Sequence, residues 1–149
     1  YALTIARKDG RLGAGLVPST LDCEAVNAAR QAGKTPDLKS GSGGPPCAWA
    51  VEYSANGLLV RFSGLSISRL TESLGQPDGR PIIDRTGLKG TWEFTLRYAD
   101  PATPPADRTP ADAPSLFTAL QEQLGLELVP DRAPLQVLVI DHIERPSTN

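Results

Sequence analysis

From Ser115 to Glu144 the spacing of apolar residues changes period, and each change marks an element. Leu116, Leu120 and Leu124 recur at i, i+4 and i+8 with Phe117 beside them, which predicts a helix with one apolar face. Gln121, Glu122 and Gln123 fill its polar side. Ser115 is a candidate N-cap, with Asp112 as its rival, and Gly125 suits the left-handed residue that stops a helix. Leu126 to Val129 then alternates as a short strand, and Pro130 to Pro134 has the composition of a turn. Leu135 to Ile143 is apolar and β-branched on both faces, the pattern of a central strand.

The same reading extends along the chain. Tyr1 to Arg7 alternates as a strand with no turn or cap before it, so a preceding piece of a longer protein is expected. Thr20 to Gly33 has helical spacing, capped by Ser19 or Asp22, but its inner face is mostly alanine and promises a peripheral helix. Lys34 to Pro46 is a loop. Trp49, Val51 and Tyr53, then Leu58, Val60 and Phe62, alternate on either side of Asn56-Gly57, which predicts a β-hairpin over Cys47 to Gly64. Ser66 caps a short helix to Leu74, with Ile67, Leu70 and Leu74 on its apolar face and Gly75 after it. Arg80 to Asp84 is a short extended piece, and Thr91 to Tyr98 alternates with Trp92, Phe94, Leu96 and Tyr98 on one side. Helix, strand, turn, strand thus occurs twice. Each unit is too small to bury its helix face alone, so the two are expected to share one sheet. The expected fold is α+β: helices packed on a mostly antiparallel sheet, a single domain over residues 1–149, with a Pro-rich excursion from Ala99 to Pro114 and a tail from Pro146 to Asn149.

Composition narrows the partners. The chain of 149 residues has a net charge of −2 and a pI near 5.4, with scattered basic residues, which gives no case for nucleic acid or an anionic membrane surface. No apolar run approaches the ~18 residues of a membrane span. Cys23 and Cys47 flank a Gly/Pro/Ser-rich segment. Paired, they imply an extracytoplasmic site, whether periplasmic, secreted or cell-surface; unpaired, they are two thiols of a cytosolic protein. Two cysteines and one histidine without close ligand spacing argue against a metal, and no cofactor is expected.

Several residues carry candidate chemistry. The glycines of Ser40 to Gly44 resemble a phosphate cradle, yet no buried strand leads in and no GKS or GKT follows, so the reading is a flexible loop. Asp84-Arg85-Thr86-Gly87 is one residue from the DKTG of cation-pumping ATPases, but a turn with Asp84 and Thr86 bonded to local backbone explains it. Asp141 and His142 point to opposite faces of a strand; His142 and Glu144 share a face, and with Asp84 they form a candidate polar site. Trp49, Tyr53, Trp92 and Tyr98 lie on strands, as core or as an aromatic platform.

Together, PIIDRTGLKGTWEFTLRY (Pro81–Tyr98), the run from Ala113 to Asn149, the opening YALTIARKDGRL and the PPC at Pro45–Cys47 resemble the soil-associated protein family, a domain of unknown function expanded in soil bacteria. The resemblance implies secreted or membrane-tethered proteins, assigns no catalytic residue and, because full-length members carry a further helix-strand-strand segment ahead of YALTIARKDG, implies that this chain is the C-terminal portion of a longer protein. A weaker likeness, in element order alone, links the helix-strand-strand units to the short N-terminal domain of secretins and TonB-dependent receptors. The expected role is a non-catalytic extracytoplasmic domain that binds a protein partner or ligand, or associates with itself. Alternatives are a subunit of an extracellular assembly or filament, joined by strand addition at Tyr1–Arg7, and a hydrolase using His142, Glu144 or Asp84.

Overall fold

A computed structural model describes residues 1–35, 40–54, 56–74, 77–99, 113–132, 134 and 142. Its strands are β1 (Ala2–Ile5), β2 (Val17–Pro18), β3 (Ala48–Ser54), β4 (Gly57–Leu65), β5 (Ile83–Asp84), β6 (Trp92–Tyr98) and β7 (Leu126–Val129). Its helices are α1 (Cys23–Gln31), α2 (Ile67–Ser73) and α3 (Leu116–Ala119), and a 3₁₀ turn spans Pro77–Gly79. This is the expected α+β fold, and most strand pairs are antiparallel.

Local chemistry sets the element ends. Asp22, Ser66 and Ser115 each cap a helix by accepting from a backbone N–H of its first turn: Ala25, Arg69 and Thr118 respectively. After α3 the chain continues through a π-helical turn, Leu120–Leu124, and stops at Gly125 with φ 69°. At that stop two glycines meet. Gly13 donates its N–H to the Leu124 carbonyl at 2.9 Å, so the loop after β1 satisfies a helix-end acceptor. A Cβ on Gly125 would lie 2.4 Å from the Gly13 nitrogen, and one on Gly13 would lie 2.6 Å from the Leu124 carbonyl carbon. The close approach, as much as the left-handed φ, requires glycine.

Among the described residues the strands form two sheets rather than the single one expected. One has the order β5-β1-β7 and the other β2-β6-β4-β3. The strands of the first helix-strand-strand unit part company: β5 joins β1, while β6 joins β4. The physical reason is that β5 is two residues long and finds its ladder beside β1, with Ile83 N–H donating to the Tyr1 carbonyl at 2.8 Å. The second strand expected of the other unit, Leu135 to Ile143, and the excursion over residues 100–112 lie outside the described residues. The first strand is not an exposed edge. β1 pairs in parallel with β5 and antiparallel with β7, so both its sides are taken within the chain. A strand added to Ala2 and Leu3 would have to displace β5 or β7.

The core lies between the sheets. Leu3, Leu126 and Leu128 of the smaller sheet, Ile67 and Leu70 of α2, and Ala119, Leu120 and Leu124 meet Val60, Phe62, Trp92, Phe94 and Leu96 of the larger one. Phe62 and Phe94, opposite each other in the β4–β6 register, stack with ring centroids 4.7 Å apart. The Leu120/Leu124 ridge is fully buried, as its spacing predicts, and Leu116 packs beside it. The helix α1 buries only Val26, which agrees with its alanine face.

The paired glycines make a sharp test. Gly125→Ala meets both backbone strain and a clash with Gly13, and is expected to cost roughly 3 kcal/mol or more. Gly10 also has positive φ, 73°, but open space around it, so Gly10→Ala should cost only about 1–2 kcal/mol. Urea denaturation of the two variants measures the difference.

Candidate functional site

The larger sheet has an inner and an outer face, and the two carry different chemistry. Trp92, Phe94, Leu96 and Tyr98 on β6 lie on the inner face with Leu58, Val60 and Phe62 on β4. On β3 the residues registered with those of β4 are Trp49 with Phe62, Val51 with Val60, and Tyr53 with Leu58. The inner apolar face therefore continues onto β3, but its cover does not. Val51 is half-buried, whereas Trp49 is 45% and Tyr53 78% exposed. Of the four candidate aromatics, the structure puts Trp92 in the core at 8% exposure and packs Tyr98 against it; Trp49 and Tyr53 stand out together on one strand.

That strand is an edge. Its pairing with β4 runs through all seven residues without a register shift, ending at Ser54 opposite Gly57. Gly57 thus belongs to β4 rather than to the turn. Gly57, with φ 116°, sits where a Cβ would approach the Tyr98 carbonyl oxygen to 2.5 Å. Among the described residues nothing pairs with the other side of β3. The one charged side chain of the strand, Glu52, accepts from Arg61 Nε at 2.8 Å. That hydrogen bond, and then the positive charge, hold the Glu52 carboxyl below the ordinary glutamate range.

The outer face is polar and covered. Glu93 is only 7% exposed although strand alternation points it away from the core. It accepts from Ser19 Oγ at 2.8 Å and from the Gly41 N–H at 2.5 Å. Beside it the hydroxyls of Ser40, Ser42 and Ser63 close a triangle with sides of 2.8, 2.5 and 2.7 Å, in which each oxygen can donate once and accept once. Arg61 Nη1 donates to the Ser42 carbonyl at 2.9 Å. The glycine-rich segment is thereby docked on the sheet and is neither a free loop nor an anion cradle. Its glycines permit the contact: a Cβ on Gly41 would stand 2.9 Å from Glu93 Oε2, and one on Gly44 would stand 2.9 Å from Arg61 Cβ. Strand alternation places Glu93 on the face opposite Trp92 and Phe94, and no local motif distinguishes it from its neighbours. The tertiary docking of Ser40–Gly44, with Ser19 beside it, buries it.

The Cys23–Cys47 disulfide joins α1 to the residue before β3, with Cα atoms 5.4 Å apart. Gly64, at a bulge in β4 with φ 67°, makes room for it; a Cβ there would lie 2.7 Å from Cys23 Sγ. Arg30 of α1 also donates to the Pro46 carbonyl, a second tie between the same elements.

The candidate polar site is not brought together among the described residues. Asp84 Oδ1 accepts from Thr86 N–H at 2.9 Å and Thr86 Oγ1 at 2.7 Å, and Leu88 N–H donates to Thr86 Oγ1, so Asp84 is held in a local turn. His142 is exposed, and Glu144 lies outside the described residues. An open cavity of about 580 Å³ is lined, among the described residues, by Arg80, Pro130, Asp131 and Arg132, and neither Asp84 nor His142 is one of them. Among the described residues no group of three or more His, Cys, Asp or Glu gathers as a metal would need, and no helix is long and apolar enough to cross a membrane.

With this geometry in view, comparison with known proteins gives one match. The sequence model of a family described as "Protein of unknown function (DUF3738)" covers residues 1–143. No curated protein and no solved structure matches the chain.

Two outcomes test the outer-face clamp. Removing the disulfide in the double variant Cys23→Ser/Cys47→Ser, which opens a span of 24 residues, should cost roughly 3 kcal/mol in denaturation and make the chain insensitive to reductant. Glu93→Ala should cost about 1–3 kcal/mol and raise hydrogen exchange at Gly41 and the serines around it.

Proposed function

The chain belongs to this family of unknown function, whose description names no activity, and from that premise we propose that it is a non-catalytic, extracytoplasmic domain that binds a protein partner. The observation that carries the reading is the edge strand β3, with Trp49 and Tyr53 exposed on an otherwise buried face. Large aromatics supply much contact area for little lost conformational entropy, and an open strand edge supplies a ladder of backbone donors and acceptors. The disulfide supports a location outside the reducing cytoplasm. The likeness in element order to the short N-terminal domain of secretins and TonB-dependent receptors is in keeping with the same role.

Beside it, the hydrolase reading has little support. Asp84 is bound into its own turn, and acid–base chemistry needs at least two of the named groups within hydrogen-bond reach of one reacting atom. A broad panel of ester, peptide, glycoside and phosphate substrates, run on the wild-type chain and on His142→Ala, separates the two. The expected outcome is no turnover that depends on His142; a rate abolished by that substitution overturns the non-catalytic reading.

A further inference from the structure

We propose that the partner of β3 is a second copy of this chain, joined edge to edge in antiparallel register about a two-fold axis at Val51. The inference rests on the reading of β3 as a docking edge and adds the identity of the partner.

The backbone settles which residues face outward. Gln123 clips Arg97 with both amide atoms: its Oε1 accepts from the Arg97 N–H at 2.9 Å and its Nε2 donates to the Arg97 carbonyl at 2.7 Å. Arg97 therefore points its backbone groups away from β4. In an antiparallel sheet each residue directs its N–H and C=O to the same side, and the side alternates along the strand. Leu59, opposite Arg97, must then bond toward β3, so Glu52 opposite Leu59 bonds back to β4. By alternation Trp49, Val51 and Tyr53 present their N–H and C=O groups to the side of β3 with which no described strand pairs.

Those three residues are self-complementary. A two-fold axis at Val51 sets Val51 against Val51 of the second copy, Trp49 against its Tyr53, and Tyr53 against its Trp49. All three are hydrogen-bonded pairs by the parity just derived, and all their side chains lie on one face. The result is two cross-strand aromatic pairs flanking a β-branched pair, a favourable combination for a ladder. Charge permits it. The single charge of the strand, Glu52, falls opposite Ala50 rather than opposite its own copy, and Arg61 already neutralises it. The devices that blunt a natural strand edge are missing: Ala48–Ser54 contains no lysine, no proline and no bulge. Such an isologous contact closes on itself and yields a dimer whose larger sheets are continuous, not an open filament.

The test uses the whole chain with its disulfide intact. Sedimentation from micromolar to millimolar concentration should show a monomer–dimer equilibrium, weakened about tenfold or more by Tyr53→Ala, which removes both aromatic pairs at an exposed position. Register is read with a short bis-maleimide and introduced thiols. Val51→Cys should cross-link to its own kind, and Trp49→Cys should cross-link to Tyr53→Cys when the two are mixed, but neither to itself. A strict monomer at millimolar concentration overturns the self-pairing, as does a dimer unaffected by Tyr53→Ala or a different cross-linking pattern. A monomer without His142-dependent turnover removes this inference alone; His142-dependent turnover overturns the interaction reading beneath it.

Discussion

One mismatch of area governs this molecule: the inner face of the four-stranded sheet is wider than the layer that covers it. The small sheet and the helices bring Leu3, Leu70, Leu120, Leu124 and Leu126 over β4 and β6, where Phe62, Phe94 and Leu96 are sealed. Strand alternation does not stop where the cover stops. A period of two forces Trp49, Val51 and Tyr53 onto the same face, since their register partners are core residues. The exposed aromatics are thus the continuation of the core rather than an independent patch. That continuity is why they are aligned, evenly spaced and backed by a regular ladder.

The outer face of the same sheet is treated in the opposite way. There a segment of small residues is fastened down by hydroxyl and carboxylate contacts, and Glu93 is accommodated because two donors reach it. A burial of this sort contributes little apolar area, but it fixes the route of the chain from α1 into β3. The serine triangle does this with side chains that can each donate one proton and accept one, leaving no hydroxyl donor unmatched within the ring.

How far the sequence disclosed this depends on the range of the forces involved. The helix of Leu116, Leu120 and Leu124, its cap at Ser115 and its stop at Gly125 are local, and spacing alone announces them. The hairpin around Asn56 and the alternation of Trp92 to Tyr98 are local too. Sheet membership is not. Nothing in Ile82-Ile83-Asp84 reveals that two residues will leave β6 and pair with β1, because that choice is made by a ladder some eighty residues away in sequence. The aromatic platform was half legible. Composition marks Trp49, Tyr53, Trp92 and Tyr98 alike, and only the order β2-β6-β4-β3 tells the edge pair from the central one. Glu93 was illegible, since an acidic residue on the polar phase of a strand looks solvated until a loop is laid across it. Gly13 and Gly125 carried half their message: one reads as a helix stop, while their mutual contact appears only in three dimensions.

The two faces and the edge are finally one mechanical unit. Cys47 immediately precedes β3, so the disulfide holds the strand at its start, and Arg30 reaches Pro46 from the same helix. The helix that provides this anchor buries a single residue, Val26, and apolar burial of that size contributes only about 1.5–3 kcal/mol. Its hold on the sheet is therefore covalent more than hydrophobic. A strand fixed at one end by a disulfide and at the other by a tight turn keeps its seven-residue register without needing a neighbour on its outer side. Holding the strand in this way lowers the conformational freedom that any further pairing along it would have to remove. The bond and the strand that it anchors thus belong to the same physical design.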